Sequence, residues 1–198
     1  MALAGARPDW LVCFQDETWW GRVARVGMAS WAAPGRPLRL VEVAVPYGDP
    51  DPKALACYGV WLPQLEQTWL RFVDGRPVSA ITTRFLAWCA AQAAALDGIR
   101  TLVLIWDTAS WHTSRLVRDW VRAHNQAVQR AGCGVKLVPC PLPSRSPWLN
   151  PIEPKWLHAK RRIIEPERVL SPHEVEQRVC EVLGCPQLDH LSLSHDVH

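Results

Sequence analysis

The sequence lacks the marks of a disulfide-bonded, secreted or membrane-spanning protein. Its seven cysteines form no Cys-x-x-Cys pair, and their odd number argues against a framework of disulfides. No apolar run reaches the roughly 18 residues of a membrane span, and no charged-then-apolar leader opens the chain. We therefore expect a cytoplasmic protein. A zinc site at Cys180, Cys185 and His190 is an alternative, but two cysteines without a second pair are a weak signal.

The charged residues are distributed unevenly along a chain that is long enough to bury a full core as one domain. Of its 198 residues, 48% are hydrophobic. Residues 100–168 hold 12 Lys and Arg against 5 Asp and Glu, whereas residues 1–99 hold 9 of each and residues 169–198 hold 1 and 5. Such a basic stretch suits a polyanion, because cationic side chains that neutralise phosphates release counterions. A solvated basic face is the alternative.

A predicted strand in the middle of the chain ends on an acid. The run T-L-V-L-I-W-D-T-A-S-W-H covers residues 101–112 and is apolar and rich in β-branched residues up to Asp107. It predicts a buried strand that carries a carboxylate at its tip. Asp107 can also be a strand-end turn acid, and His112, five residues further on, can be a hydrogen-bonded loop histidine.

A second acid follows a proline-rich loop. The run L-P-S-R-S-P-W-L-N-P-I-E-P-K-W stops at Asn150 and enters a helix through Pro151, which places Glu153 in the first helical turn. A capping box would account for Glu153 without any further role, and Asn150 can equally be a plain helix cap.

A third acidic site lies near the start of the chain. In D-W-L-V-C-F-Q-D-E-T-W-W, Leu11–Phe14 is predicted to form a short strand, and Asp16 and Glu17 follow at its end. An acid in that position is usually a turn residue or a cap acceptor. This acidic site indicates a functional role only in combination with the other two.

The remaining segments predict an α/β arrangement with a mixed sheet. Residues 22–73 are strand-rich, with candidates in R-V-A-R-V-G, R-L-V-E-V-A-V, A-C-Y-G-V-W-L and Gln67–Val73. Further predictions are a helix capped by Thr82 or Thr83 that runs to about Leu96, a helix with Leu116, Val117 and Val121 on one face that ends at Gly132, a strand over Val135–Val138, a helix that carries Glu153, and a last helix with a Ser171–Glu174 capping box.

The three acidic runs together resemble the signatures of a known enzyme family. F-Q-D-E, L-V-L-I-W-D-T-A-S-W-H and S-P-W-L-N-P-I-E are similar to those of the DDE transposases of the mariner-like superfamily, in the bacterial branch named after insertion sequence 630. The resemblance extends over about residues 10–165. It implies an α/β, ribonuclease-H-like fold with a mixed five-stranded sheet flanked by helices. We expect a single domain over residues 1–198, with a C-terminal helix at about 171–184.

The resemblance also implies a metal site. Asp16, Asp107 and Glu153 would be the catalytic metal ligands, lined by Glu17, His112 and Asn150. Phosphodiester cleavage needs an activated nucleophile, a neutralised phosphate and a stabilised leaving oxygen, which two Mg²⁺ or Mn²⁺ ions supply. Three clustered acids can hold such ions without closing their coordination shells, and we expect Asp16 to bridge the two.

DNA is the partner that the resemblance implies, both as terminal inverted repeats and as target DNA. The reaction would be strand cleavage at the transposon ends followed by strand transfer, in a homodimer associated with a bacterial nucleoid. Basic residues of the central stretch are predicted to contact DNA: Arg145, Lys155, Lys160, Arg161 and Arg162.

The sequence departs from the family pattern in three respects. Thr108 stands where the family usually has Asn, and 45 residues separate Asp107 from Glu153, more than is usual. No helix-turn-helix pair precedes Asp16, so we expect a catalytic half that works with a separate helix-turn-helix polypeptide or is a truncated remnant. A non-catalytic DNA-binding or regulatory remnant and a ribonuclease-H-like nuclease or resolvase are the alternatives.

Overall fold

The computed structural model describes residues 7–23, 43–144, 146–163 and 168–193. Five strands lie in these ranges: β1 (Trp10–Gly21), β2 (Ala54–Leu62), β3 (Gln67–Val73), β4 (Thr101–Trp106) and β5 (Lys136–Pro141). Four α-helices accompany them: α1 (Ser79–Ala94), α2 (Arg115–Ala131), α3 (Ile152–Ile163) and α4 (Pro172–Leu183). A short 3₁₀ helix, Pro147–Leu149, precedes α3. Within the described ranges, no helix is both long and apolar enough to cross a membrane.

The strands form one mixed sheet in the order β3-β2-β1-β4-β5. The first three strands of the chain pair antiparallel, whereas β4 lies parallel to β1 and β5 lies parallel to β4. Parallel neighbours need a crossover, and α2 makes the one between β4 and β5. The structure thus confirms the predicted mixed five-stranded sheet.

Helices cover both faces of the sheet, and each face has its own core. One core joins the sheet to α1 and α2 and includes Leu11 and Cys13 of β1. The other joins it to α3 and α4 and includes Trp20 of β1 together with Trp156. Successive strand residues point to opposite faces, so β1 contributes to both cores. Consecutive residues of this strand therefore belong to different environments.

The strand predictions are confirmed for β3 and for the end of β4, and they are wrong for β1. The bounds of β3 are those predicted, and β4 ends at Trp106, directly before Asp107. However, β1 does not stop at Phe14, because its ladder with β2 continues from Phe14 to Gly21. Asp16 therefore lies inside a strand and neither at its end nor in a turn.

Two further strand candidates lie largely outside the described residues. Most of R-V-A-R-V-G and the first four residues of R-L-V-E-V-A-V lie outside the described residues. The last three residues of the second segment, 43–45, are described and are not in a strand.

The helix predictions fail at the start of α1 and on one face of α2. The helix α1 begins at Ser79, so Thr82 and Thr83 lie inside it and do not cap it. The hydroxyl groups of both threonines donate to carbonyls of the preceding turn instead. In α2, Leu116 is 50% exposed, although it was predicted on the buried face. The predicted end of α2 is confirmed, because Gly132 adopts the left-handed conformation with φ 67°.

The capping box of α4 is confirmed and allows a simple stability test. Ser171 Oγ accepts from the backbone N–H of Glu174 at 3.2 Å, and Glu174 Oε2 accepts from the backbone N–H of Ser171 at 2.9 Å. We expect Ser171→Ala to lower the free energy of unfolding by about 1 kcal/mol, measured by urea denaturation. Ser79→Ala is the control, since α1 has no side-chain cap. Equal losses in the two variants would contradict a capping role for Ser171.

Candidate active site

The site lies where β1 extends beyond β4. Their last paired residues are Phe14 and Ile105, after which β1 continues with only β2 beside it. Asp16 lies on β1 two residues after Phe14, and Asp107 follows β4 two residues after Ile105. Because paired residues of neighbouring strands lie level, this register places the two aspartates at the same end of the sheet.

Asp16 is a half-buried carboxylate among other acids. Trp156 Nε1 of α3 donates a hydrogen bond to Asp16 Oδ2 at 3.0 Å. Burial raises the pKa of Asp16, and repulsion from Glu17 and Glu153 raises it further, to about 7. A nearby cation would reverse this effect, because it favours the charged form of the carboxyl group.

Glu153 faces the aspartates from the first turn of α3. It lines a cavity of about 120 Å³ together with Asp107 and Thr108. Among the described residues, no hydrogen bond to the Glu153 side chain is formed; only its backbone N–H donates, to Asn150 O at 3.2 Å. The capping-box explanation of Glu153 is therefore wrong, because the side chain would have to accept from the backbone of Asn150.

The side chain of Asn150 joins the start of α3 to β1 by a hydrogen bond. Its side chain is buried, and Nδ2 donates to the backbone oxygen of Gln15 at 3.0 Å. Its Oδ1 is buried and accepts no hydrogen bond from the described residues. A helix cap would use this oxygen, so Asn150 is not a plain helix cap. The bond to the residue next to Asp16 instead helps to place Glu153 beside that aspartate.

Asp107 has one engaged oxygen and one free oxygen. Its Oδ1 accepts from the backbone N–H of Ala109 at 2.9 Å and from His112 Nδ1 at 2.8 Å. The turn role proposed for this acid is thus present. The bond from His112 lowers the pKa of Asp107, which keeps it ionised. Its Oδ2 accepts no hydrogen bond within the described ranges, so it remains able to bind a ligand.

His112 links Asp107, which follows β4, to Glu17 of β1. Its buried ring stacks on Trp106 with centroids 4.6 Å apart, and Nε2 bonds Glu17 Oε1 at 2.8 Å. Burial lowers the pKa of His112, but the bonds to Asp107 and Glu17 outweigh it and raise the pKa to about 9. The ring is therefore protonated at neutral pH and donates from both nitrogens. His112 is a hydrogen-bonded loop histidine and also a neighbour of the site.

Glu17 points away from Asp16, because the two are consecutive residues of one strand. Besides its bond with His112, Glu17 Oε1 accepts from Gln15 Nε2 at 2.9 Å. Glu17 therefore supports the loop that carries Asp107 and is not directed at the cavity of Glu153.

The four predicted DNA-binding residues of α3 lie in three different places. Lys160 and Arg161 line a cavity of about 470 Å³ with Glu17, on the side of the helix that carries Glu153. Lys155 instead lies 3.4 Å from the centroid of the Trp61 ring, in a different depression. Arg162 is exposed and lines neither depression. Arg145 lies outside the described residues.

The carboxylates fit divalent cations in pairs. Within the described parts of the chain, no three His, Cys, Asp or Glu side chains are placed to hold one ion together. Asp107 and Glu153 share a cavity, and Glu153 also acts on the pKa of Asp16. Since Mg²⁺ is commonly held by one or two carboxylates with water and substrate phosphate oxygens, pairs of this kind suffice.

The zinc alternative finds no support. The two ring nitrogens of His190 bond Asp74 at 2.7 Å and Glu176 at 2.8 Å, which leaves neither for a metal. Cys180 Sγ lies 3.7 Å from the carbonyl oxygen of Pro186, within reach of a weak sulfur hydrogen bond.

Two residues at the site were not identified from the sequence. One is Trp156, whose helical spacing marks it as apolar core but does not reveal its bond to Asp16. The other is Gly59, which pairs directly with Asp16 and lies against the Trp156 ring. A signal for Gly59 was present, since an isolated glycine inside a strand pattern often marks the close approach of another group.

The chain was compared with known families and structures. Residues 12–175 match the family described as DDE superfamily endonuclease. No curated protein matches the chain at a significant level. The solved structures with a similar fold include the Mos1 transposase paired-end complex with left transposon end, at a TM-score of 0.65 and 18% identity over 89% of this chain. That match covers 48% of the Mos1 chain, so this chain spans about half the length of its structural relative.

Two other Mos1 mariner paired-end complexes show the same likeness. The complex with Mn has a TM-score of 0.62 and 18% identity over 89% of this chain and 48% of the Mos1 chain. The complex with Mg has a TM-score of 0.63 and 19% identity over 86% and 47%. At such identities the likeness establishes the ribonuclease-H-like fold. Because the family match covers most of its length, the chain belongs to the DDE superfamily of endonucleases.

Proposed function

We propose that the chain is the catalytic part of a DNA transposase of the insertion-sequence-630 branch, which cleaves strands at transposon ends and joins them to target DNA. The observation that carries this proposal is that Asp16 and Asp107 each follow the last paired residues of β1 and β4 by two positions, and that Glu153 lines one cavity with Asp107. Membership of the DDE superfamily supports it, as does the fold shared with transposase complexes that contain DNA and Mn or Mg. The paired-end complexes of Mos1 also support a dimer as the working assembly.

The three acids, Asp16, Asp107 and Glu153, would hold the two divalent cations that we propose for this site. Bound there, the ions would supply a deprotonated nucleophile, neutralise the scissile phosphate and stabilise the leaving oxygen. The protein's part is to hold the acids in position. His112 fixes one oxygen of Asp107, and Asn150 fixes the start of the helix that carries Glu153.

Lys160 and Arg161 are proposed to bind the DNA backbone that leads into the site. They lie on the Glu153 side of α3, and they belong to the stretch of residues 100–168 in which basic residues outnumber acidic ones. Phosphate contacts of this kind give affinity without sequence preference.

The two adjacent arginines of α3 provide a matched test of this approach. We expect Arg161→Ala to weaken binding of a fluorescein-labelled DNA duplex and to reduce the slope of log Kd against log salt by about 1, as for one lost phosphate contact. Arg162→Ala removes the same charge from the same helix but lies outside that cavity, so its slope should stay at the parent value. Fluorescence anisotropy at several salt concentrations measures both. A slope for Arg161→Ala equal to that of the parent would exclude Arg161 from the interface.

Nicking of supercoiled plasmid DNA tests the proposed activity directly. The chain should convert the plasmid to nicked circles in the presence of Mn²⁺ and should not do so in excess EDTA. Cleavage of a four-way DNA junction in preference to linear duplex would instead favour a nuclease or resolvase and overturn the proposal.

A second candidate function is that of a DNA-binding protein without catalysis. It is favoured by one observation, that no three metal-binding side chains of the described residues converge on a single point. DNA binding without nicking, and without measurable Mn²⁺ binding, would support this candidate against the first.

A further inference from the structure

Trp156 makes a specific contact with the most buried of the proposed metal ligands. Its indole N–H donates to Asp16 Oδ2 at 3.0 Å, across 140 positions of sequence. The side chain is only 3% exposed, and a buried indole N–H generally requires an acceptor. In this protein the acceptor is a carboxylate at the site rather than a backbone carbonyl.

Gly59 provides the space for this contact. It lies on β2 directly opposite Asp16 in the antiparallel ladder. A Cβ atom on Gly59 would stand 2.5 Å from Cη2 and 2.8 Å from Cζ2 of the Trp156 ring, so any other residue would displace the indole. Gly59 is not among the glycines with a positive φ, so its backbone does not require glycine. Glycine is required at this position only because a larger side chain would collide with the indole.

A second tryptophan also packs against the ring. Trp20 lies edge-on to Trp156, with centroids 5.8 Å apart and an interplanar angle of 88°. Trp156 is therefore in contact with both the backbone of β2 and Trp20. This packing fixes the direction of its N–H and hence the orientation of the Asp16 carboxylate that accepts from it.

We propose that Trp156, seated on Gly59, is a positioning residue that holds the Asp16 carboxylate oriented for a divalent cation. This inference rests on the proposed function, because it takes Asp16 to be a metal ligand. Hydrogen bonds from outer partners to ligating carboxylates typically change metal affinity about 10- to 100-fold. A donor on one carboxylate oxygen also favours the ionised form that a cation requires.

The test is the affinity for Mn²⁺ of the full chain without DNA, measured by isothermal titration. Trp156→Phe removes the N–H and keeps an aromatic ring, and it should weaken Mn²⁺ binding about 10- to 100-fold. Trp88→Phe is the matched control, because it makes the same substitution on α1, in the core on the other face of the sheet, where Trp88 packs against Phe85 with centroids 5.6 Å apart. It should leave Mn²⁺ affinity near the parent value.

Two more variants separate the failure of this inference from failure of the proposed function. Asp16→Asn should abolish the strongest Mn²⁺ binding; unchanged binding would overturn the proposed metal site itself. If Asp16→Asn abolishes binding while Trp156→Phe and Trp88→Phe have the same affinity, the metal site stands and the positioning role of Trp156 is overturned. Gly59→Ala, which keeps Trp156 but displaces its ring, should also weaken Mn²⁺ binding and decides the matter if Trp156→Phe does not fold.

Discussion

Replacing Asp107 by asparagine is expected to lower metal-dependent nicking of supercoiled DNA by about a thousandfold or more, since a lost metal contact costs several kcal/mol of transition-state stabilisation. Asparagine has nearly the same shape, and its Oδ1 can still accept from Ala109 and His112, as that of the aspartate does. Only the negative charge is lost. The urea midpoint should fall only slightly, because the Asp107 side chain is more than half exposed and Glu17 remains as a charged partner of His112. The affinity for duplex DNA should stay close to that of the parent protein.

The control for this variant is Asp97→Asn, which removes the same charge from an exposed turn after α1. It should nick DNA at the parent rate. If Asp107→Asn kept its activity within about tenfold, Asp107 would not be a metal ligand. If it instead lost stability together with activity, the turn made by Asp107 would be its main role.

Replacing His112 by alanine is expected to destabilise the protein by about 3 kcal/mol and to abolish nicking. The ring is buried against Trp106 and is the common partner of Asp107 and Glu17. Removal of one member of a buried ionic network is costly, because it leaves the other charges without compensation. Nicking should be lost because Asp107 then has no partner to hold its carboxylate. Urea denaturation and the plasmid assay measure the two effects.

His124→Ala is the appropriate comparison for His112→Ala. His124 also stacks on a tryptophan, Trp120, with centroids 5.2 Å apart, but it bonds only the neutral carbonyl of Val135, at 2.9 Å. Its loss should cost about 1 kcal/mol, as for an ordinary hydrogen bond, and should leave nicking unchanged. An equal cost for the two variants would show that the acids around His112 are not held by it.

Elements that are specified by residues close together in the chain were predicted correctly from the sequence. The strand Gln67–Val73, the end of β4 before Asp107, the stop at Gly132 and the Ser171 capping box depend on residue patterns within a few positions. The predicted start of α1 was wrong, although Thr82 and Thr83 are residue types that commonly cap helices. Tertiary contact decided it, since the Thr82 hydroxyl bonds the Tyr58 hydroxyl at 2.9 Å from within the helix.

The predicted end of β1 was also wrong, and the reason concerns the candidate active site. The apolar run stops at Phe14, and polar Gln15, Asp16 and Glu17 then suggested a turn. The ladder with β2 overrides this local signal and carries the strand on to Gly21. A carboxylate in an extended strand is costly to bury, and Asp16 is placed there because β2 and α3 pack around it.

The sequence by itself determined which acids are present, their order, and the type of element that carries Asp107 and Glu153, because hydrophobic period and turn chemistry are written in neighbouring residues. Only the tertiary structure decided that Asp16 and Glu17 face opposite sides, that His112 joins Glu17 to Asp107, and that Trp156 reaches Asp16 over Gly59. These contacts join positions far apart in the chain. They depend on strand register and on the packing of α3 against the sheet, which no local pattern specifies.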